Sequence, residues 1–222
     1  MIKAILFDLD GILIETEKET FHFYQEYFKK HYNIIIKDSD FKYKAGRKSK
    51  DFFHDILTSG QMEKINIKKI TDYKRELFNS QIDKYTKKVA GGGELLEYLQ
   101  QERYLMALVS QNELRMIDSA LRWLKIAKYF GITLSLDDIK NKKPDPEIYL
   151  LAAEKLGIKA SECIVIEDSS DGIMAAKNGK FTCIALRHDY MPTGTYKNAD
   201  YIADSLAEVG KIITKTNSLH SR

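Results

Sequence analysis

The stretch from Ile2 to Phe7 is apolar apart from Lys3 and runs directly into Asp8-Leu9-Asp10-Gly11. A short apolar run closed by polar turn residues predicts a buried strand ending in a loop. From about Thr16 to Lys87 the rhythm changes. Phe21, Tyr24, Phe28 and Tyr32 recur at helical spacing, and Phe52, Phe53, Ile56 and Leu57 do so again. Aromatic residues and lysines dominate this stretch, and no strand pattern is evident before Ala90. It reads as an all-helical lobe.

After Gly91-Gly92-Gly93 the pattern alternates. Leu95, Leu96 and Leu99 mark a helix, Tyr104 to Val109 a strand, and Ile117, Leu121 and Leu124 a second helix. Strands are predicted at Ile132 to Leu134, Ile164 to Ile166 and Cys183 to Leu186, with a helix from Pro146 to Leu156 between the first two. Strands alternating with helices imply an α/β fold, a mostly parallel sheet with helices on both faces. The expected organisation is an α/β core of residues 1–15 and 88–222, with residues 16–87 inserted as a helical lobe after the first strand. The tail from about Lys215 to Arg222 is expected to fray.

The chain has 222 residues, 44% hydrophobic and 30% charged, enough for one α/β core with an inserted lobe. Net charge is +3. The pairs Lys29-Lys30, Lys68-Lys69 and Lys87-Lys88 are scattered rather than gathered into a block, which points away from a nucleic-acid partner. Cys163 and Cys183 each sit in an apolar run and read as buried free thiols. No apolar run is long enough to span a bilayer, and the strand-like start does not resemble a cleaved leader. The expectation is a cytoplasmic, reduced protein with no membrane partner.

Ligand sites in open α/β sheets lie beyond the carboxyl ends of the strands, so the residues just after each strand carry the chemistry. The first strand is followed by Asp8 and Asp10, which point to one side in extended backbone because they are two apart. The Tyr104–Val109 strand is followed by Ser110-Gln111-Asn112, and the strand beginning at Cys163 ends in Glu167-Asp168-Ser169-Ser170-Asp171-Gly172. A loop before a helix carries Lys142-Lys143-Pro144-Asp145-Pro146. Phosphoryl transfer needs such a set. Carboxylates from separate strand ends suit magnesium, and a lysine, a hydroxyl and backbone N–H groups neutralise and hold the phosphoryl oxygens. One carboxylate can attack phosphorus while another carries the leaving-group proton. Each piece taken singly also reads as a helix cap or a surface turn; their joint order is the signal.

With these motifs in place, the chain resembles the haloacid dehalogenase superfamily, in the subgroup (subfamily IA) with a helical cap after strand one, and most closely its β-phosphoglucomutase-like phosphatases. The likeness covers nearly the whole chain through Asp8-Leu9-Asp10-Gly11, Ser110-Gln111-Asn112, Lys143-Pro144-Asp145-Pro146 and Glu167-Asp168-Ser169. It implies a Rossmann-like parallel core carrying a helical cap, and a magnesium-dependent phosphatase working through an aspartyl-phosphate. By that resemblance Asp8 is the nucleophile and Asp10 the general acid/base. Asp8, Asp168 and the main-chain carbonyl of Asp10 hold magnesium with Glu167 nearby, and Ser110, Gln111, Asn112 and Lys143 grip the phosphoryl group. The implied partner is a small phosphorylated metabolite, acted on by a monomer.

The cap departs from the family's mutases. Thr16 and Lys74 agree with the mutase-like pattern, but Thr20 stands where the mutases carry a histidine and Ser49 where they place an arginine, with Arg47, Lys48 and Lys50 close by. Phosphate release is therefore the leading expectation, a β-phosphoglucomutase-type mutase the alternative, and a receiver-like signalling domain a distant third that the helical insertion argues against. Gly91-Gly92-Gly93 lacks the Lys-Ser/Thr of a P-loop and reads as a hinge. His22, His31, His54, His188 and His220 show no metal-ligand spacing and read as surface or helix-face residues. Trp123 reads as core or cap-facing packing.

Overall fold

The computed structural model describes residues 1–219. By their internal contacts these divide into two units. The first comprises residues 1–14, 88–188 and those from Thr193 onward, and the second residues 15–87 with Asp189–Pro192.

Strand β1 (Ala4–Phe7) is wholly buried. A two-residue strand, β2 (Ile14–Glu15), follows the turn after it. Six helices come next: α1 (Glu17–Tyr32), α2 (Phe41–Lys44), α3 (Ser49–Ile56), α4 (Ser59–Met62), α5 (Ile67–Ser80) and α6 (Ile82–Tyr85). A second two-residue strand, β3 (Lys87–Lys88), pairs with β2 where the chain passes between the units. Both are too short to leave a periodic signature, which is why the sequence shows no strand here.

The rest of the first unit alternates: α7 (Gly92–Gln101), β4 (Leu105–Val109), α8 (Leu114–Leu124), β5 (Ile132–Leu134), α9 (Glu147–Leu156), β6 (Cys163–Glu167), α10 (Ser170–Asn178), β7 (Thr182–Leu186), β8 (Tyr201–Ala203) and α11 (Leu206–Leu219). The main sheet has the order β5-β4-β1-β6-β7-β8, and its neighbouring strands all run parallel. The α/β architecture is the expected one. Its central strands are near-continuous apolar runs because helices cover them. Amphipathic α8, for instance, buries Met116, Ile117, Ala120 and Leu121.

The end of α11 departs from expectation. Rather than fraying from Lys215, the helix continues to Leu219, because Leu206, Val209, Ile213 and Thr216 form one buried face at helical spacing. Asn217 also accepts from the Ile2 N–H at 3.0 Å. Residues 220–222, with His220, lie outside the described residues. The edge strand β8 was not legible either, since Tyr201 and Ile202 are exposed and only Ala203 is buried.

The second unit has its own core of Phe21, Phe23, Tyr24, Phe28, Phe52, Phe53, Ile70 and Phe78. Edge-to-face pairs tie it together, with Tyr24 and Phe28 at 4.8 and 5.0 Å from Phe53. Helix α1 opens with Glu17 and Glu19 and closes with Lys29, Lys30 and His31, matching its dipole. The segment Asp189–Pro192 joins this unit through Tyr190, whose hydroxyl donates to Glu15 at 2.9 Å and whose ring lies 5.7 Å from Phe41. Sequence pattern alone leaves these residues with the α/β part.

Candidate active site

Strand β1 lies between β4 and β6, where the strand order reverses, and crevices form beyond the carboxyl ends at such a point. Asp8 follows β1, Ser110 follows β4, and Glu167 and Asp168 close β6. A small cavity of about 190 Å³ there is lined by Asp8, Asp10, Ser110, Gln111, Asn112, Lys143, Asp168 and Ser169. Residues separated by more than a hundred positions in the chain thus share one pocket of the first unit.

Glu167 is fully buried and saturated. Its Oε1 accepts from Lys143 Nζ at 2.6 Å and from the Tyr149 hydroxyl at 2.8 Å. Its Oε2 accepts from the Asp168 and Ser169 N–H groups, both at 3.0 Å, and from Ser169 Oγ at 2.9 Å. Ser169 Oγ in turn accepts from Gly172 N, capping α10. Lys143 Nζ also lies 2.6 Å from Asp8 Oδ1 and 4.8 Å from the centre of the Tyr149 ring. Buried charges persist only when paired and hydrogen-bonded, and this network meets that condition.

The electrostatics follow. Burial, opposed by Lys143 and reinforced by Glu167 and Asp10, raises Asp8 to about 7. Burial and the neighbouring Glu167, Asp8 and Asp10 carboxylates push Asp168 well above the usual range. Glu167 is buried too, yet Lys143 and the hydrogen bonds from Ser169 and Tyr149 hold it below its ordinary value. For Lys143, burial is outweighed by the two carboxylates, so it stays protonated. Asp8, Glu167 and Asp168 bring oxygens within 4.8 Å of one another. Four carboxylates, counting Asp10, thus face one ammonium, an arrangement suited to a divalent cation.

Gly11 has φ of 72°, and a Cβ there would fall 1.9 Å from Asp168 Oδ2. The turn after β1 therefore needs glycine both for its left-handed backbone and for its close approach to the acid. Asn112 Nδ2 donates to Asp10 Oδ2 at 2.5 Å, so its amide sits on an acid. The Asn112 N–H donates to Ser110 Oγ at 3.2 Å. Gln111 Nε2 is buried and has no hydrogen-bond partner among the described residues.

The family model for haloacid dehalogenase-like hydrolases matches residues 5–186. The chain belongs to this family. The hydrolase is 30% identical over 179 residues to the phosphorylated carbohydrates phosphatase of Thermotoga maritima, covering 80% of this chain and 81% of that protein. It is 29% identical over 219 residues to validoxylamine A 7'-phosphate phosphatase of Streptomyces hygroscopicus, covering 94% and 96%. Its fold matches the crystal structure of β-phosphoglucomutase from Clostridium difficile with a TM-score of 0.74, at 23% identity over 100% of both chains.

The hydrolase's core motifs converge, while Thr16, Arg47 and Lys74 belong to the other unit. There Thr16 precedes α1 and its carbonyl accepts from Thr20. Arg47 pairs with Asp55, and Lys74 lies 5.1 Å from the centre of the Phe78 ring. Ser49 shares a 2.6 Å hydrogen bond with the buried Tyr24 hydroxyl. His22, His31 and His54 are exposed as expected. His188 is not a surface residue: its ring is mostly buried and Nε2 lies 2.8 Å from the Gly11 carbonyl. Trp123 is half-buried beneath the Lys88 ammonium, at 5.1 Å. Sequence reasoning also missed Tyr149. Both residues carried a signal: His188 stands just past the end of β7, and Tyr149 lies on the helix that follows the lysine loop.

Proposed function

We propose that this hydrolase is a magnesium-dependent phosphatase that releases phosphate from a small phosphomonoester, a sugar phosphate by class, through an aspartyl-phosphate on Asp8. The observation that carries this reading is the buried contact of Lys143 with both Asp8 and Glu167, next to a cavity of about 190 Å³ that Asp8 and Lys143 themselves line. The likeness to a phosphatase of phosphorylated carbohydrates supports the substrate class.

Asp8 and Asp168, with the main-chain carbonyl of Asp10, are the groups to hold magnesium. Both oxygens of Glu167 already accept hydrogen bonds, so Glu167 contributes its charge and the orientation of Asp168. When bound, magnesium supplies positive charge that neutralises the phosphoryl oxygens and keeps Asp8 ionised. Asp8 attacks phosphorus as the bond to the leaving oxygen breaks and Asp10 gives that oxygen its proton. Water then attacks the same phosphorus, Asp10 takes the water's proton, and the bond to Asp8 breaks. Ser110 and Lys143 hold the phosphoryl oxygens, and Gln111 Nε2, which has no partner among the described residues, offers a further donor. The two buried thiols suit a reduced, cytoplasmic setting.

Hydrolysis is favoured over sugar phosphomutation because, among the described residues, the side chains at and beside the position where the mutases place an arginine are already engaged within the helical unit. Ser49 is bonded to Tyr24 and the Arg47 guanidinium is engaged by Asp55. Lysines offer no bidentate fork in their place. Phosphate release from 4-nitrophenyl phosphate should require magnesium, stop with chelator and vanish in Asp8→Asn. Undiminished release in chelator, or from the folded Asp8→Asn protein, would overturn the reading.

A further inference from the structure

His188 lies just beyond the carboxyl end of β7, and its imidazole reaches across to the turn that follows β1. A carbonyl oxygen only accepts, so the 2.8 Å contact with the Gly11 carbonyl requires the proton on Nε2. The same nitrogen is 3.9 Å from Asp168 Oδ2, too far for a hydrogen bond but close enough to pack against the carboxylate. The residue is itself anchored, because its main-chain N–H donates to the buried Tyr196 hydroxyl at 2.8 Å.

The turn it grips carries Asp10. The bonds internal to that turn include those from Gly11 N to the Ile14 carbonyl at 2.7 Å and from Leu13 N to the Leu9 carbonyl at 2.9 Å. The Gly11 carbonyl is taken from outside, by His188. Asp10 is thus held through its carboxylate by Asn112 and through the peptide beyond it by the imidazole. A proton carrier must come within hydrogen-bond reach of the leaving oxygen, and small displacements are costly.

We propose that His188 is a positioning residue for Asp10, donating Nε2–H to the Gly11 carbonyl and fixing the turn from which Asp10 serves the leaving group. This rests on the reading of Asp10 as the proton carrier given above. The role is tested by leaving-group dependence, which a merely structural contribution would not move. Phenyl phosphate needs its leaving oxygen protonated far more than 4-nitrophenyl phosphate does, and kcat/KM reports the step in which that oxygen departs.

With magnesium present, His188→Leu should lose about tenfold in kcat/KM on phenyl phosphate and less than about threefold on 4-nitrophenyl phosphate. His188→Gln, whose amide can still donate, should restore most of the loss. Tyr196→Phe, which removes the hydroxyl that accepts from the His188 N–H, should shift the same ratio in the same direction and serves as the test if the leucine variant does not fold. Equal losses on both substrates, or no loss, would overturn the proposal. Asp10→Asn in the same series separates the two readings. If its loss depends on the leaving group while those of His188→Leu and Tyr196→Phe do not, only the role of His188 falls. If its loss is also uniform, the proton-carrier reading fails first and takes this one with it.

Discussion

The Lys143 ammonium lies 2.6 Å from Asp8 Oδ1, with both side chains buried. The same ammonium holds Glu167 at 2.6 Å, so one cation compensates two acids in a pocket where water contributes little. Removing it leaves uncompensated buried charge rather than a lost surface contact. Lys143→Met should therefore destabilise the fold by about 3–5 kcal/mol. In the protein that still folds, turnover should fall at least about 100-fold, because the phosphoryl oxygens lose a fixed positive charge. Chemical denaturation and initial rates measure the two effects. A rate within about tenfold of wild type would return Lys143 to a structural role.

Tyr149 separates support from chemistry. Its hydroxyl is one of five donors to Glu167 among the described residues, and its ring packs against Phe181 with centroids 6.1 Å apart. Tyr149→Phe keeps the ring and deletes one bond to a charged acceptor, so urea unfolding should detect a loss of about 1–2 kcal/mol. Turnover should drop far less than in Lys143→Met. A larger effect on turnover than that of the lysine would place Tyr149 in the reaction itself.

Gly11 and Gly157 form an internal control. Both have positive φ, 72° and 67°, but an added methyl at Gly157 meets nothing within 4 Å, whereas at Gly11 it would overlap the Asp168 carboxylate. Gly157→Ala should cost about 1 kcal/mol of backbone strain and leave turnover unchanged. Gly11→Ala should abolish metal-dependent turnover even where circular dichroism reports a folded protein. Similar activity in the two variants would contradict the close packing of the turn on Asp168.

The metal-free protein should lose stability as pH rises from about 5 to about 8. Asp8 is raised to about 7 and Asp168 is raised as well, chiefly by burial. The folded state therefore binds more protons than the unfolded chain in that window, and stability must fall with rising pH, by about 1.4 kcal/mol per pH unit for each proton of difference. A cation that favours the ionised acids reverses this. Magnesium should raise Tm more at pH 8 than at pH 5, as differential scanning fluorimetry would record. Equal shifts at both pH values would argue that the acids do not face the ion.

Much of this site was legible because it obeys two local rules: polar residues follow apolar strand runs, and alternate residues of extended backbone share a side. Asp8, Asp10, Ser110, Glu167 and Asp168 are visible on those grounds. Lys143 was legible only through its motif, since nothing local to Lys142-Lys143-Pro144 says that the chain returns it to β1. Tyr149 and His188 were passed over for a related reason, since their positions in the chain signal proximity but not a role. Their roles depend on which strand end each faces, which register and strand order decide. The exposed edge strand β8 and the Asp189–Pro192 segment were missed because their partners come from tertiary packing alone.

The central claim is that Asp8 carries the phosphoryl group. The wild-type enzyme would be quenched in acid during steady-state turnover of 4-nitrophenyl phosphate with magnesium, reduced with borohydride and mapped by peptide mass spectrometry. An acyl phosphate on Asp8 is reduced to homoserine at that position. The account predicts this conversion at position 8, dependent on both substrate and magnesium. An unmodified Asp8 with the reduced residue at Asp10, Glu167 or Asp168, or turnover with none of the four acids trapped, would contradict it.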